Sequence, residues 1–184
     1  MILEKVVIGI AIFVSYFLQT SVDFFALGSI KPDFILILTV YFALYRGPFA
    51  ALWIGFWGGI LQDINLGGYT NLVQQDMRYY IGTSALAKTI VGFVTGKIAH
   101  NINKDATSLI VIVVFLACLA KGVIMFFTVA FFHSSAHASA LITIVIPEAL
   151  FTAILSIVWF RLLRWAFPTI EKTEGQSIIR RMGR

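Results

Sequence analysis

The chain contains 184 residues, of which 59% are hydrophobic and only 12% are charged, and its mean hydropathy is +0.91. A soluble domain of this length could not bury so much apolar surface, so the composition predicts a protein whose main solvent is the lipid bilayer. The excess of positive charge is concentrated after residue 159. This pattern disfavours nucleic-acid binding and is typical of charge that orients a membrane protein.

Six apolar runs predict an all-α polytopic membrane protein with six transmembrane helices in one domain, residues 1–168. The predicted spans are residues 6–22, 34–45, 48–63, 81–98, 107–132 and 140–160. No small-residue cleavage site follows the first run, so it is expected to remain as a mature helix. The second run covers only ~18 Å of a ~30 Å hydrocarbon core. The second span must therefore include flanking residues, thin the membrane locally or be shielded by protein. In the sixth span, Pro147 predicts a break or kink.

Small residues recur at every fourth position of the third span, up to a final carboxylate: Gly47, Ala51, Gly55, Gly59 and Asp63. On a helix they form one stripe, which in lipid allows another backbone to approach closely. Gly92 and Gly96 make a similar pair in the fourth span. Both stripes have two interpretations: packing within this bundle, or packing against the transmembrane helix of another protein.

The distribution of lysine and arginine predicts the orientation. With six spans, one side of the membrane holds ten of these residues, namely Lys5, Arg46, Lys97, Lys104, Arg161, Arg164, Lys172, Arg180, Arg181 and Arg184. The other side holds Lys31 and Arg78. Positive residues accumulate on the cytoplasmic side, so both termini are expected there, and residues 169–184 form a basic cytoplasmic tail.

Three charged residues fall well inside predicted spans, Lys88, Lys121 and Glu148, and Asp63 ends the third span. A charge in hydrocarbon costs at least ~2.5 kcal/mol on insertion scales, so each of these residues is expected to have a structural or functional role that offsets this cost. All four fall in the outer half, with two acids and two bases. We expect Asp63 to pair with Lys88 and Glu148 with Lys121, although a solute or ion site and a partner-binding site are alternatives. Thr152 and Ser156 follow Glu148 on one helical face.

Nothing in the sequence predicts catalysis, a metal or a cofactor. The single cysteine, Cys118, lies in an apolar run and is interpreted as a small buried hydrophobe. His100, His133 and His137 fall at interfaces or in loops without a carboxylate or cysteine at ligand spacing. No nucleophile–base set and no phosphate-binding loop is present.

Several motifs occur in a defined order over about residues 30–98. They are Lys31-Pro32-Asp33, Arg46-Gly47-Pro48, the run from Gly55 to Asp63, Gly67-Gly68, and a helix containing Gly82, Gly92 and Gly96. In this order they resemble the bacterial rod shape-determining protein MreD family. The positions that the resemblance associates with the family's role are Pro32, Asp33, Arg46, Gly47, Pro48, Gly55, Gly59 and Asp63.

The resemblance implies a small multi-pass protein of the bacterial inner (cytoplasmic) membrane without catalytic activity. Such a protein would be a scaffold of the cell-elongation machinery that builds the lateral peptidoglycan wall. Its expected direct partner is the bitopic protein MreC, with MreB, a RodA-type glycosyltransferase and a class B penicillin-binding transpeptidase in the wider complex. The implied fold is similar to the S components of vitamin transporters. The six-span size and the buried charges therefore also suggest an alternative, a solute-binding subunit of a small-molecule transporter.

Overall fold

The computed structural model describes residues 2–21, 30–66, 82–99, 102, 106–132 and 141–167. These residues form six α-helices, and a π-helical turn, Leu141–Val145, leads into the last one. The helices are α1 (Ile2–Ser21), α2 (Phe34–Arg46), α3 (Pro48–Leu66), α4 (Thr83–Ile98), α5 (Thr107–Phe132) and α6 (Ile146–Ala166). Each helix coincides with one of the six apolar runs, so the all-helical architecture is confirmed for this part of the chain.

The short helix α2 is the core of the bundle. Every side chain from Phe34 to Tyr45 is buried, and α1, α3, α4, α5 and α6 all pack against it. Asp33 caps its start, because its carboxylate accepts the backbone N–H of Leu36 at 2.9 Å. Gly47 ends it with a φ of 89° and donates its N–H to the Phe42 carbonyl at 3.1 Å. Of the three ways to accommodate so short a run, the structure shows shielding by protein.

Helices α3 and α4 pack closely because their small residues face each other. A Cβ atom added to Gly55 would lie 2.6 Å from the Lys88 carbonyl oxygen, and one on Gly59 would overlap the backbone of Ala85. On α4, Gly92 faces Ala51, and Gly96 faces Pro48. The interpretation that these stripes pack within the bundle is therefore confirmed. The alternative, that either stripe receives the helix of another protein, stays a prediction, and at Gly55, Gly59, Gly92 and Gly96 such a helix would have to displace a contact within the bundle.

Helix α6 is irregular at its start, close to Pro147, as the sequence predicts. The π-helical turn ends at Val145, and α6 begins at Ile146 with Pro147 in its first turn, where a missing backbone N–H costs least. The turn packs on α5 because Gly122 leaves room for the Val145 side chain. The π-helical turn therefore contributes to the contact between α5 and α6.

The outward faces of the bundle are apolar on α1, α3, α4, α5 and α6. Examples with at least half of their surface exposed are Phe13, Trp53, Trp57, Ile98, Leu116, Phe127, Ile154 and Val158. Two segments, Thr107–Thr128 and Ile142–Ala166, are long and apolar enough to cross a membrane, and only about a third of each is buried. Such low burial is unusual for the core helix of a soluble protein, whose apolar side chains face inward.

Candidate functional site: a buried charge cluster

Asp33 is the centre of a cluster of buried charges. One carboxylate oxygen caps α2, and the other accepts from the ammonium groups of Lys88, at 2.9 Å, and Lys121, at 3.1 Å. The backbone N–H of Asp33 donates to the hydroxyl of Thr152 on α6, at 3.1 Å. Asp33 is wholly inaccessible to solvent. A single residue thus joins the start of α2 to α4, α5 and α6.

The ammonium group of Lys88 has a second acceptor, the side-chain carbonyl of Gln62 on α3. The same Gln62 oxygen accepts the hydroxyl of Ser84 at 3.0 Å. Lys88 has no solvent exposure and lies in the second turn of α4, one residue after the buried Ala87. Its charge is therefore balanced and hydrogen-bonded inside the bundle, as a buried charge must be.

Lys121 connects Asp33 to the second acid of the cluster. Its ammonium group lies 2.5 Å from the carboxylate of Glu148, so the predicted pairing of these two residues is confirmed. Glu148 lies in the first turn of α6, where the helix dipole favours a negative charge. Thr152 and Ser156, one and two turns further on, are buried on the same face.

Asp63 does not belong to the cluster, and its predicted pairing with Lys88 is wrong. Its carboxylate instead accepts three backbone N–H groups at the start of α4, those of Gly82 (2.9 Å), Ser84 (3.1 Å) and Ala85 (3.1 Å). Gly82 has no side chain with which to cap the helix. Asp63 supplies that cap from α3, and a carboxylate is well suited to it because the first N–H groups of a helix have no acceptor within the helix.

Two members of the cluster, Asp33 and Gln62, were not predicted from the sequence. Asp33 lies just outside the predicted second span, residues 34–45, and it directly precedes a run too short to cross a bilayer unaided. A short apolar run must lie within protein, and this places the acid at its start inside the bundle as well. That inference was available from the sequence. Nothing in the sequence distinguishes Gln62 from any other polar residue near a helix end.

The cluster is electrically neutral and almost fully enclosed. It contains two carboxylates and two ammonium groups, and each ammonium group has two acceptors. The side chains of Asp33 and Lys88 are inaccessible, Lys121 is 5% exposed, and Glu148 is 20% exposed. Such an arrangement fixes five helices relative to one another. It leaves little capacity to bind an additional charged group.

The residues singled out by the family resemblance occupy junctions of the fold. Pro32 is buried beside Asp33, Gly47 makes the turn between α2 and α3, and Pro48 opens α3 against Gly96. Arg46 is exposed at the end of α2. Gly55, Gly59 and Asp63 all join α3 to α4. Roles in partner binding for these positions remain predictions.

Several predicted features fall on residues that the structure does not describe. These are Asp23, Gly67, Gly68, Asp76, Arg78, His100, Lys104, His133, His137 and the basic segment 169–184. Cys118 is described, and it is buried and unbridged. Across the described ranges, no group of three or more His, Cys, Asp or Glu side chains is placed to hold a metal ion.

Two cavities of about 300 Å³ and 280 Å³ lie among the described helices. The larger is an apolar cleft between α4 and α5, and the smaller lies between the start of α5 and the end of α6. Neither is lined by a residue of the charge cluster. The buried charges therefore do not face either space.

No protein-family model matches the chain, and no curated protein sequence matches it either. The resemblance to the MreD family accordingly rests on the motifs alone.

Proposed function

We propose that this chain is a six-span protein of the bacterial inner membrane that acts as a non-catalytic scaffold of the cell-elongation complex. Its direct partner would be the bitopic protein MreC, and the wall-synthesis enzymes and MreB would belong to the wider assembly. Both termini would lie in the cytoplasm. The motif resemblance motivates the identity of the complex, and the apolar outward faces of five helices support the placement in lipid.

The observation that carries the scaffold proposal is the mutual neutralisation of the interior charges. A solute-binding subunit needs several polar groups that converge on an accessible pocket. Here Asp33, Lys88 and Lys121 are directed at one another and are nearly inaccessible, and neither of the two cavities reaches them. The cluster is thus better suited to holding helices in place than to selecting a solute.

A partner helix that leaves the bundle intact would contact the outward surface, because the small-residue stripes are occupied within the bundle. Phe49, Trp53 and Trp57 repeat every fourth residue along the outward face of α3, and each is more than half exposed. Large aromatic side chains contribute strongly to the energetics of protein interfaces, and tryptophan is enriched among the residues that carry most of the binding energy. This face distinguishes α3 from the aliphatic outward faces of α4 and much of α5.

Affinity purification from native membranes in mild detergent tests the proposal. Mass spectrometry of the eluate should identify MreC and the wall-synthesis enzymes, with no small molecule retained in stoichiometric amount. A variant with Trp53→Leu and Trp57→Leu reports whether the outward face of α3 contributes. The matched control is Leu116→Ala with Phe127→Ala, which alters an equally exposed face of α5.

The opposite result would be an ATPase pair or a stoichiometric solute in the eluate. The scaffold proposal would then be rejected in favour of a transport subunit. Capture of MreC that survives in both double variants would keep the scaffold and exclude these two faces as its contact.

A further inference from the structure

Helix α4 is poorly suited to cross a bilayer alone. Its 16 residues extend over ~24 Å, less than a hydrocarbon core of ~30 Å. Only eight residues, or ~12 Å, separate Lys88 from Lys97, and four of these are glycine or threonine. Among the described residues, the segments that are long and apolar enough to cross a membrane lie at α5 and α6. The insertion of α4 therefore depends on contacts with the rest of the chain.

Helix α3 supplies contacts that leave the charge of Lys88 unbalanced. The two glycines of α4 lie against the first turns of α3, and the carboxylate of Asp63 caps the first N–H groups of α4. Gln62 gives the Lys88 ammonium group a hydrogen-bond acceptor, but the side chain of Gln62 is neutral. A buried ammonium group also needs an opposite charge.

That opposite charge comes from the start of α2. The Asp33 carboxylate lies 2.9 Å from the Lys88 ammonium group, and both side chains are inaccessible to solvent. Helix α2 has 13 residues and extends over ~20 Å, so it too is short for a bilayer, and Asp33 directly precedes it. Two helices that could not cross a membrane alone thus carry the two opposite charges of one ion pair.

Helix α5 provides a comparison, because it also contributes a lysine to Asp33. The Lys121 ammonium group lies 3.1 Å from the same carboxylate and 2.5 Å from that of Glu148. Lys121 belongs, however, to the segment Thr107–Thr128, which is long and apolar enough to cross a membrane with this lysine included. Loss of its ion pair should therefore affect the stability of the folded bundle and not the insertion of α5.

We propose that the Asp33–Lys88 ion pair determines the topology of this chain: it couples α2 to α4, so that α4 enters the bilayer only together with α2. A lysine that keeps its charge within a membrane helix opposes insertion, and a carboxylate on a neighbouring helix removes most of that opposition. The proposal rests on the membrane placement and orientation proposed above, but not on the scaffold role.

The test measures the topology of the full chain in intact cells. In a Cys118→Ala background, Ser108→Cys places a thiol at the exposed start of α5, directly after α4. Newly synthesised, pulse-labelled chains are treated with a membrane-impermeant maleimide, before unstable variants are degraded. The fraction that reacts is compared with the fraction that reacts after the membrane is opened. Reaction on intact cells without any further substitution would overturn the proposed orientation, and this proposal with it.

Asp33→Asn is the first variant to compare. It keeps a side-chain oxygen that can cap α2, and it removes the charge. Lys88 then has no carboxylate, so the ratio of inserted to uninserted α4 should fall about ten- to hundredfold. An uninserted α4 leaves the following residues outside the cell. The Ser108→Cys thiol should therefore react on intact cells in a large fraction of these chains.

Two further variants separate insertion from general instability. Asp33→Asn with Lys88→Leu removes both charges and leaves Lys121 paired with Glu148, so it should restore protection of the Ser108→Cys thiol. Lys121→Leu is the matched control, since it removes a lysine bound to the same carboxylate from a helix that can cross alone. It should leave the thiol protected.

Three results would each overturn the proposal. Protection of the thiol in Asp33→Asn would show that packing on α3 suffices to insert α4. Reaction in Lys121→Leu equal to that in Asp33→Asn would indicate general unfolding. Reaction that persists after Lys88→Leu is added to Asp33→Asn would show that the charge of Lys88 is not what opposes insertion.

Discussion

At the scale of single residues, Asp33 connects the start of α2 to three other helices, α4, α5 and α6. It caps α2, neutralises two lysines and bonds to α6 through its backbone. A buried charge is tolerated only when it is paired and its remaining hydrogen-bonding capacity is filled. Asp33 meets both conditions because each carboxylate oxygen has its own partners.

The pairing of Lys121 with Glu148 leads to a prediction about stability. Lys121→Leu leaves an uncompensated negative charge in the bundle and should cost about 3–5 kcal/mol. The double variant Lys121→Leu, Glu148→Leu leaves Asp33 balanced by Lys88 alone, so it should lose less than the single variant. Thermal unfolding of the purified protein in detergent, followed by circular dichroism, measures both losses.

Lys97→Leu is the control for this cycle because Lys97 is exposed at the end of α4 and bonded to no acid within the described structure. The free energy of unfolding of the Lys97→Leu variant should differ from that of the unmodified protein by about 1 kcal/mol or less. Additive losses from Lys121 and Glu148 would contradict the coupling.

At the scale of helices, the close packing of α3 on α4 depends on residues without side chains. The distance between two helices is set by the side chains at their contact, and glycine permits the shortest one. Gly55 and Gly59 lie against the backbone of α4, whereas Gly9 on α1 has no atom within 4 Å of an added Cβ. Glycine is therefore required where α3 contacts α4, whereas position 9 of α1 has room for a side chain.

This difference predicts opposite outcomes for one substitution. Gly59→Ala should destabilise the protein by about 1–3 kcal/mol, because α3 and α4 must separate to admit a methyl group. Gly9→Ala should be neutral or stabilising by up to about 1 kcal/mol, because alanine is the better helix former. Thermal unfolding of the two variants in the same detergent compares them. Equal stabilities would mean that the α3–α4 contact is looser than described.

At the scale of the whole molecule, a fully buried helix is surrounded by helices whose outward faces are apolar. This arrangement would be unfavourable in water. In a bilayer it is the expected one, since lipid solvates the outer apolar side chains and the polar groups are kept within the protein. The charge cluster and the caps of α2 and α4 follow that rule.

The proposed topology predicts which sites are accessible from outside the cell. In a Cys118→Ala background, a cysteine placed at Thr70 should react with a membrane-impermeant maleimide on intact cells. A cysteine placed at Ser108, at the start of α5, should react only after the membrane is opened. The native Cys118, which is buried, should react only after denaturation. Labelling of Ser108→Cys on intact cells would contradict the proposed orientation and indicate the opposite one.

The sequence by itself determined the helices and several of their ends. Apolar runs must become helices in lipid, because only a helix satisfies every backbone group within one segment. The Pro32-Asp33 start, the Gly47 turn and the irregularity before Pro147 are local effects of backbone chemistry, and they could be predicted for the same reason.

Only the tertiary structure decided which residues meet. Lys88 has acids of similar depth on two neighbouring helices, and its position along α4 does not distinguish between them. The packing of glycines brings α4 against α3 in a register that places Asp63 on the backbone of α4 and Lys88 beside Asp33. Charge pairing depends on distances of a few ångströms between helices. Such distances are set by the contact surfaces of whole helices and not by the spacing of residues along one of them.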